Sequence, residues 1–534
     1  MKKANRIVAL LMAMVLVLGL AVTASAEETT YSITVVNANP GHVYEAYQIF
    51  TGTLTDEANP DDDSITDNGN VAAKLSNVAF ADGVSYNGAG VVVGKDEHGD
   101  DIISKQAMDL AYALEKGTLS IDTLLADLTL GGVDAISGDQ TDGKYVISGL
   151  TPGYYLVKDK ANSLNGKYDA YTDYIVEVVE NSIVKPKSSV PSVTKNVKDT
   201  NDTTGETSGW QDSADYDIGD QVPFQIVATL ASNVADFVGP YRLIFNDTMQ
   251  AGLTYNHDLT IKVGERTVFT EGAETGNMEG ISVTYEGTAL TITIADGKSF
   301  GNNAVLTLDY TATLNENATH YINGNTNSVK LNYANDPNWQ PPTDGTTPPP
   351  PTGDTPESVV IVYTYKLIVD KVDPEGNAVE DAGFTLYKKD ANGTFNAVVL
   401  GTDAAGKPIT EMKGEQLTTF VWSGLDDGTY KLVETTVPAG YNKAADLEFT
   451  ITADHDLNGT THVLDLNGGN DLVLEENQED PNYGALTTDI VNRPGAVLPE
   501  TGGMGTTLFY AIGGVLVLAA IVLLVSKKRM ASAE

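Results

Sequence analysis

Leu367-Ile368-Val369-Asp370-Lys371, Tyr430-Lys431-Leu432-Val433-Glu434 and Ile490-Val491-Asn492 decide the fold of the last third of this chain. Alternate residues of a strand share a face. If Leu367 and Val369 point into a core, Lys371 points there with them. By the same spacing Glu434 follows Tyr430 and Leu432, and Asn492 follows Ile490. The pattern gathers a lysine, a carboxylic acid and an asparagine inside one apolar sandwich. Charge buried without a partner is costly, and burial drives Lys and Glu towards their neutral forms. A neutral amine is a nucleophile, and a protonated carboxyl can polarise a side-chain amide through its oxygen. Attack of the amine then releases ammonia and leaves a Lys–Asn isopeptide bond. Enforced proximity supplies about 7–11 kcal/mol of such a barrier. Spacing alone leaves a second reading open, in which Lys371 snorkels to solvent and Glu434 caps a turn.

The pattern repeats upstream. Val193, Lys195 and Val197 share one strand face; Leu243, Phe245 and Asp247 share another; Asn327, Val329, Leu331 and Tyr333 share a third. Asn325 lies on the same face as Asn327 and is a second candidate amide. The strand that opens the N-terminal region, Tyr31 to Val36, carries no lysine, so no bond of this kind is expected there.

Composition sets the wider frame. The chain has 534 residues, with 32 basic and 73 acidic, for a net charge of −41. So acidic a surface argues against nucleic acid and anionic membrane surfaces as partners. The length suits three domains. Abundant Gly, recurring Thr, Val, Tyr, Asn and Asp, and few long amphipathic patterns point to β-rich domains with many turns. The absence of cysteine removes disulfides, thiol catalysis and thiolate metal sites, so any covalent reinforcement must use other chemistry. The six histidines show no paired ligand spacing. No Gly-rich phosphate loop, G-x-S-x-G elbow, Ser/His/Asp set or catalytic carboxylate pair emerges. No enzyme activity or cofactor is expected and no metal ligand is assigned; Asp61-Asp62-Asp63 reads as a solvated loop, with calcium binding there as the alternative.

The two ends carry targeting patterns. Lys2, Lys3 and Arg6 precede an apolar stretch from Ile7 to Val22 and the small-residue site Ala24-Ser25-Ala26, the pattern of a signal peptide cut before Glu27. Leu498-Pro499-Glu500-Thr501-Gly502 precedes an apolar run from about Thr507 to Val525, long enough to span a bilayer, and then Lys527-Lys528-Arg529, which would stop transfer on the cytoplasmic side. The expected division is 1–26 signal peptide, 27–188 N-terminal domain, 189–365 second domain, 366–497 third domain and 498–534 sorting segment. The Pro-rich stretch Gln340 to Glu357 is expected to be an extended surface loop without regular pairing. Val359 to Tyr365 would then return as a strand of the second domain.

Tyr430 to Tyr441, reading YKLVETTVPAGY, resembles the E-box of Gram-positive pilins, and with Lys371 ahead and Asn492 behind the third domain resembles a CnaB-type isopeptide domain. The resemblance implies Lys371 as nucleophile, Asn492 as acceptor and Glu434 as assisting acid. The second domain resembles the CnaA-type fimbrial isopeptide domain, which implies Lys195 as nucleophile, Asp247 as acid and Asn327 as acceptor, with Asn325 as alternative. The C-terminal triple resembles an LPXTG cell-wall sorting signal, in which a sortase cysteine cleaves between Thr501 and Gly502 and an amine resolves the thioester. Val184-Lys185-Pro186-Lys187 resembles the pilin motif, although no Trp is present and no Tyr precedes Pro186. It implies Lys187 as the linking amine, with Lys185 as alternative.

Together these imply an all-β chain of tandem immunoglobulin-like β-sandwich domains, the backbone pilin of a sortase-assembled pilus. The implied partners are a class C pilus sortase, identical subunits, and a housekeeping sortase that joins the fibre to peptidoglycan. A host surface ligand stays open, and a monomeric wall-anchored adhesin is the alternative.

Overall fold

The computed structural model describes residues 30–37, 41–55, 74–131, 136–137, 139–141, 143–186, 189–340, 348–455, 464–469, 471–495 and 505–530. The expected signal peptide, Asp61 to Asp63, Lys187 and the pentapeptide Leu498 to Gly502 lie outside them.

Strict alternation makes the strands. Gln221–Thr229 buries Val222, Phe224, Ile226 and Ala228, and its neighbour Val305–Leu314 buries Leu306, Leu308, Tyr310, Ala312 and Leu314. Burying a side chain of this size contributes about 1.5–3 kcal/mol, so a one-residue slip that turned this face outward would forfeit most of the core.

Three β-sandwiches follow one another. The first packs Ser182–Val184, Tyr31–Val36, Lys144–Leu150 and Asp139–Thr141 in one sheet against Asp173–Val178, Gly153–Asp159, Tyr44–Thr55 and Lys74–Phe80 in another. The helix Ala107–Glu115 adds a satellite core, setting Leu110 and Leu114 in one cluster with Phe50 and Leu156. The second sandwich places Ser192–Val197, Gln221–Thr229 and Val305–Leu314 in one sheet, and Ser213–Asp215, Ser358–Tyr363, Asn325–Ala334, Leu243–Met249 and Ala289–Ile294 in the other. In the third, Tyr365–Val372 lies between Thr419–Leu425 and Leu486–Val491, while Gly383–Lys389, Gly428–Thr436 and Leu447–His455 form the facing sheet. Its first and last main strands run parallel, with Lys371 opposite Ile490.

Ser358–Tyr363 does return to the second sandwich and pairs with Asn325–Val329. The Pro-rich stretch departs from expectation at one point, because Thr352–Asp354 pairs with Asn332–Ala334. Thr355 bridges the two pairings: its Oγ1 accepts from the Leu331 N–H at 3.0 Å and its own N–H donates to the Leu331 carbonyl at 2.9 Å. Those two bonds hold the edge where Pro356 has no N–H to offer. At the C-terminal end, Gly505–Met530 forms an exposed apolar helix whose last turn holds Lys527, Lys528 and Arg529. Its 26 residues exceed the roughly 20 that a bilayer core requires.

Candidate crosslinking sites

In the second sandwich the two sheets supply the site jointly. Lys195 and Tyr310 come from one layer, Asp247 and Asn327 from the other. Asp247 lies within Leu243–Met249, opposite Val329. All four side chains are buried. The Lys195 ammonium contacts Asp247 Oδ2 and also reaches the Tyr310 hydroxyl at 2.6 Å. That hydroxyl donates to Asp247 Oδ2 at 2.7 Å and accepts from Asn327 Nδ2 at 2.9 Å. Burial pulls the Lys195 amine below its ordinary range against the attraction of Asp247. It pushes the Asp247 carboxyl up, against the opposing pull of Lys195 and Tyr310. Both shifts favour a neutral amine beside a neutral acid. Asp247 Oδ1 and Asn327 Oδ1 are buried without a hydrogen-bond partner, a cost that native cores rarely carry.

Asn325 is equally buried but committed elsewhere. Its Oδ1 accepts from the Thr319 N–H at 2.9 Å and its Nδ2 donates to the carbonyls of Thr319 and Val362, both at 3.1 Å. The structure brings Asn327, and not Asn325, to the Tyr310 hydroxyl. Tyr310 was missing from the sequence reading. It alternates with Leu308 and Ala312 on an inward face, but an aromatic at such a position reads as core until its neighbours are known.

The third sandwich also gathers Lys371, Glu434 and Asn492, all buried. Lys371 and Asn492 come from adjoining parallel strands and Glu434 from the facing sheet. Glu434 Oε1 accepts from Asn492 Nδ2 at 2.6 Å, and Oε2 accepts from the Ala444 N–H at 2.7 Å. Lys371 Nζ donates to the Ile490 carbonyl at 2.7 Å. Burial lowers its pKa, with Glu434 partly offsetting the effect. Asn492 Oδ1 is a third buried atom without a partner. Among the described residues of the pilin-like motif, Lys185 is exposed.

The first sandwich holds a different cluster, which the sequence did not suggest. His42 Nδ1 meets Asp159 Oδ1 at 2.7 Å and Nε2 meets Asp169 Oδ2 at 2.9 Å. Burial opposes protonation of this ring, but the two carboxylates outweigh it and raise the pKa to about 9. Asp169 also ties the first sandwich to the second, since its carbonyl accepts from Tyr333 and Asn335 at 3.2 Å each.

Three family models match. A Gram-positive pilin backbone subunit 2, Cna-B-like domain covers residues 218–337, the prealbumin-like fold domain SpaA covers 365–465, and an LPXTG cell wall anchor motif covers 491–532. These matched segments are those of a sortase-assembled backbone pilin. The description of its second sandwich as Cna-B-like differs from the CnaA resemblance read from sequence. This pilin is 24% identical over 404 residues to the trypsin-resistant surface T6 protein of Streptococcus pyogenes serotype M6, an alignment covering 65% of this chain and 70% of the relative. The fold is that of the T6 backbone pilin, described as a modular three-domain structure, with a TM-score of 0.52 at 16% identity, covering 88% of this chain and all of that one. The major pilin SpaD of Corynebacterium diphtheriae aligns over 88% of this chain and 98% of its own, at 15% identity and a TM-score of 0.46. The anchor motif and the apolar helix assign this pilin to the cell wall, reached through a membrane-inserted precursor.

Proposed function

We propose that this pilin is the repeating subunit of a covalent surface fibre, with domains at 27–188, 189–365 and 366–497. The observation that carries the reading is the union, in one chain, of a pilin backbone domain with a wall anchor motif. A class C pilus sortase cleaves between Thr501 and Gly502 and holds Thr501 as a thioester. Lys187 of the next subunit resolves it, and a housekeeping sortase transfers the finished fibre to peptidoglycan. The protein is the substrate of these reactions and not their catalyst.

Internal crosslinks stiffen each subunit. In the second sandwich the neutral Lys195 amine attacks Cγ of Asn327. The bond from Cγ to Nδ2 breaks, and ammonia departs with a proton delivered by the Tyr310 hydroxyl. Asp247 returns a proton to Tyr310 and takes up the one lost by the Lys195 nitrogen, so one amide replaces one amine and one primary amide. This bond would clamp one sheet to the other. In the third sandwich Glu434 serves the attack of Lys371 on Asn492 and ties the first strand to the last. Each bond forms once per molecule, so there is no turnover.

Expression with a pilus sortase, followed by a denaturing gel of wall extract, tests the fibre. A ladder of high-mass species is expected; a single band supports the monomeric adhesin instead.

A further inference from the structure

The seam between the second and third sandwiches holds more carboxylates than cations to face them. Lys388 fills one set, with Nζ at 2.9 Å from Asp202, 2.6 Å from Asp217 and 3.1 Å from Asp426. The adjoining set is Asp215 at the end of Ser213–Asp215, together with Asp426 and Asp427 in the turn before Gly428–Thr436. One carboxylate oxygen from each of these three lies within 4.8 Å of the others. Three oxygens so spaced have a common centre at most about 2.8 Å from each, close to calcium–oxygen distances of about 2.3–2.6 Å, so one ion can draw all three in.

The hydrogen bonds of this set leave it short of positive charge. Asp427 Oδ1 accepts from Asn201 Nδ2 at 2.6 Å, and Asp426 Oδ1 accepts from the Asp427 N–H at 2.8 Å. Asp215 Oδ1 faces His455 Nε2 at 3.4 Å. Asp215 Oδ2 is buried without a hydrogen-bond partner, on a side chain only 3% exposed. Among the described residues no lysine or arginine pairs with Asp215 or Asp427.

We propose that Asp215, Asp426 and Asp427 bind a hard divalent cation of the calcium class, which fastens the second sandwich to the third. The all-oxygen donor set suits calcium. The neighbouring set of Asp199, Asp215 and His455 includes a nitrogen donor that suits zinc instead. Because Asp215 and Asp426 come from different sandwiches, the ion would resist bending at the junction as well as add stability.

Titration of the chelator-treated full chain in detergent with calcium chloride at pH 7.5, read by calorimetry and thermal unfolding, tests this. One equivalent should bind with a dissociation constant of about 10⁻⁴–10⁻³ M, the range of extracellular calcium modules, and the unfolding midpoint should rise with calcium. Asp215→Asn and Asp427→Asn should abolish both responses, and Asp202→Asn, in the Lys388 set, should retain them. If the variants do not fold, titration of the unmutated chain still decides. Absence of heat and of a midpoint shift overturns the proposal. So does stabilisation by acidification alone, by zinc alone, or a calcium response that survives in folded Asp215→Asn and Asp427→Asn.

Discussion

Replacing Glu434 by Gln isolates the crosslink of the third sandwich. A glutamine oxygen can still accept from the Ala444 N–H, which Glu434 meets at 2.7 Å, and the side chain keeps its volume. It has no acidic proton to lend the Asn492 amide, so the Lys371–Asn492 bond should not form. The unfolded chain then regains the freedom of the loop which those residues would close, about 120 residues, and the chain-entropy relation puts the loss of stability at about 5 kcal/mol. The retained hydrogen bonds should alter this by only about 1 kcal/mol. For a domain of this size 1 kcal/mol moves the midpoint by about 3–5 °C, so this sandwich should unfold about 15–25 °C earlier. Intact mass reads the bond directly. The unmutated mature chain should fall two ammonia molecules short of its sequence mass, and Glu434→Gln only one. A full sequence mass for the unmutated chain refutes the reasoning, as does a Glu434→Gln variant with an unchanged deficit and midpoint.

Other outcomes follow from the same geometry. Asp247→Ala should restore the ammonia lost in the second sandwich and leave the third bond intact, as peptide mapping would show. Tyr310→Phe should slow formation of the second bond by about 10²-fold or more if the hydroxyl relays protons, while the third forms normally; equal rates for Tyr and Phe would reduce Tyr310 to packing. His42 has a folded pKa of about 9 against an ordinary histidine value of 6.5. Its contribution is therefore complete below pH 6.5 and lost as pH rises through 9, on the order of 3 kcal/mol in all. Denaturant unfolding of His42→Gln should show lower stability at pH 6 and a flatter profile between pH 6.5 and 9. For assembly, Lys187→Ala should abolish the ladder and leave a folded, anchored monomer, whereas Lys185→Ala should leave the ladder intact.

Period-two alternation made much of this architecture legible. Leu367, Val369 and Lys371 share an inward face because a strand permits nothing else, and the same holds for Phe245 with Asp247 and for Ile490 with Asn492. What alternation omits is the identity of the neighbour across the sandwich. Tyr310 could be placed on an inward face, but that its hydroxyl bridges Asp247 and Asn327 depends on the packing of two sheets. The Thr352–Asp354 pairing escaped because Pro348 to Pro351 dominate the local signal, while the bonds that hold the edge come from Thr355. The acidic seam escaped for a similar reason: Asp215 and Asp427 are distant in sequence and meet only where two sandwiches abut. His42 reads as a lone histidine because Asp159, at the end of the neighbouring strand, and Asp169 lie 117 and 127 residues away in sequence.

The covalent fibre is tested most directly by its junction. Proteolytic mapping of purified fibres should yield a branched peptide in which the Thr501 carbonyl is joined to Lys187 Nζ, with Gly502 and all that follows removed. Fibres whose branch lies at Lys185 would move the linking role by two residues, and a branch at neither lysine would contradict the pilin-motif assignment. A chain that meets its cognate sortase and yields only Thr501 joined to peptidoglycan would contradict the fibre itself.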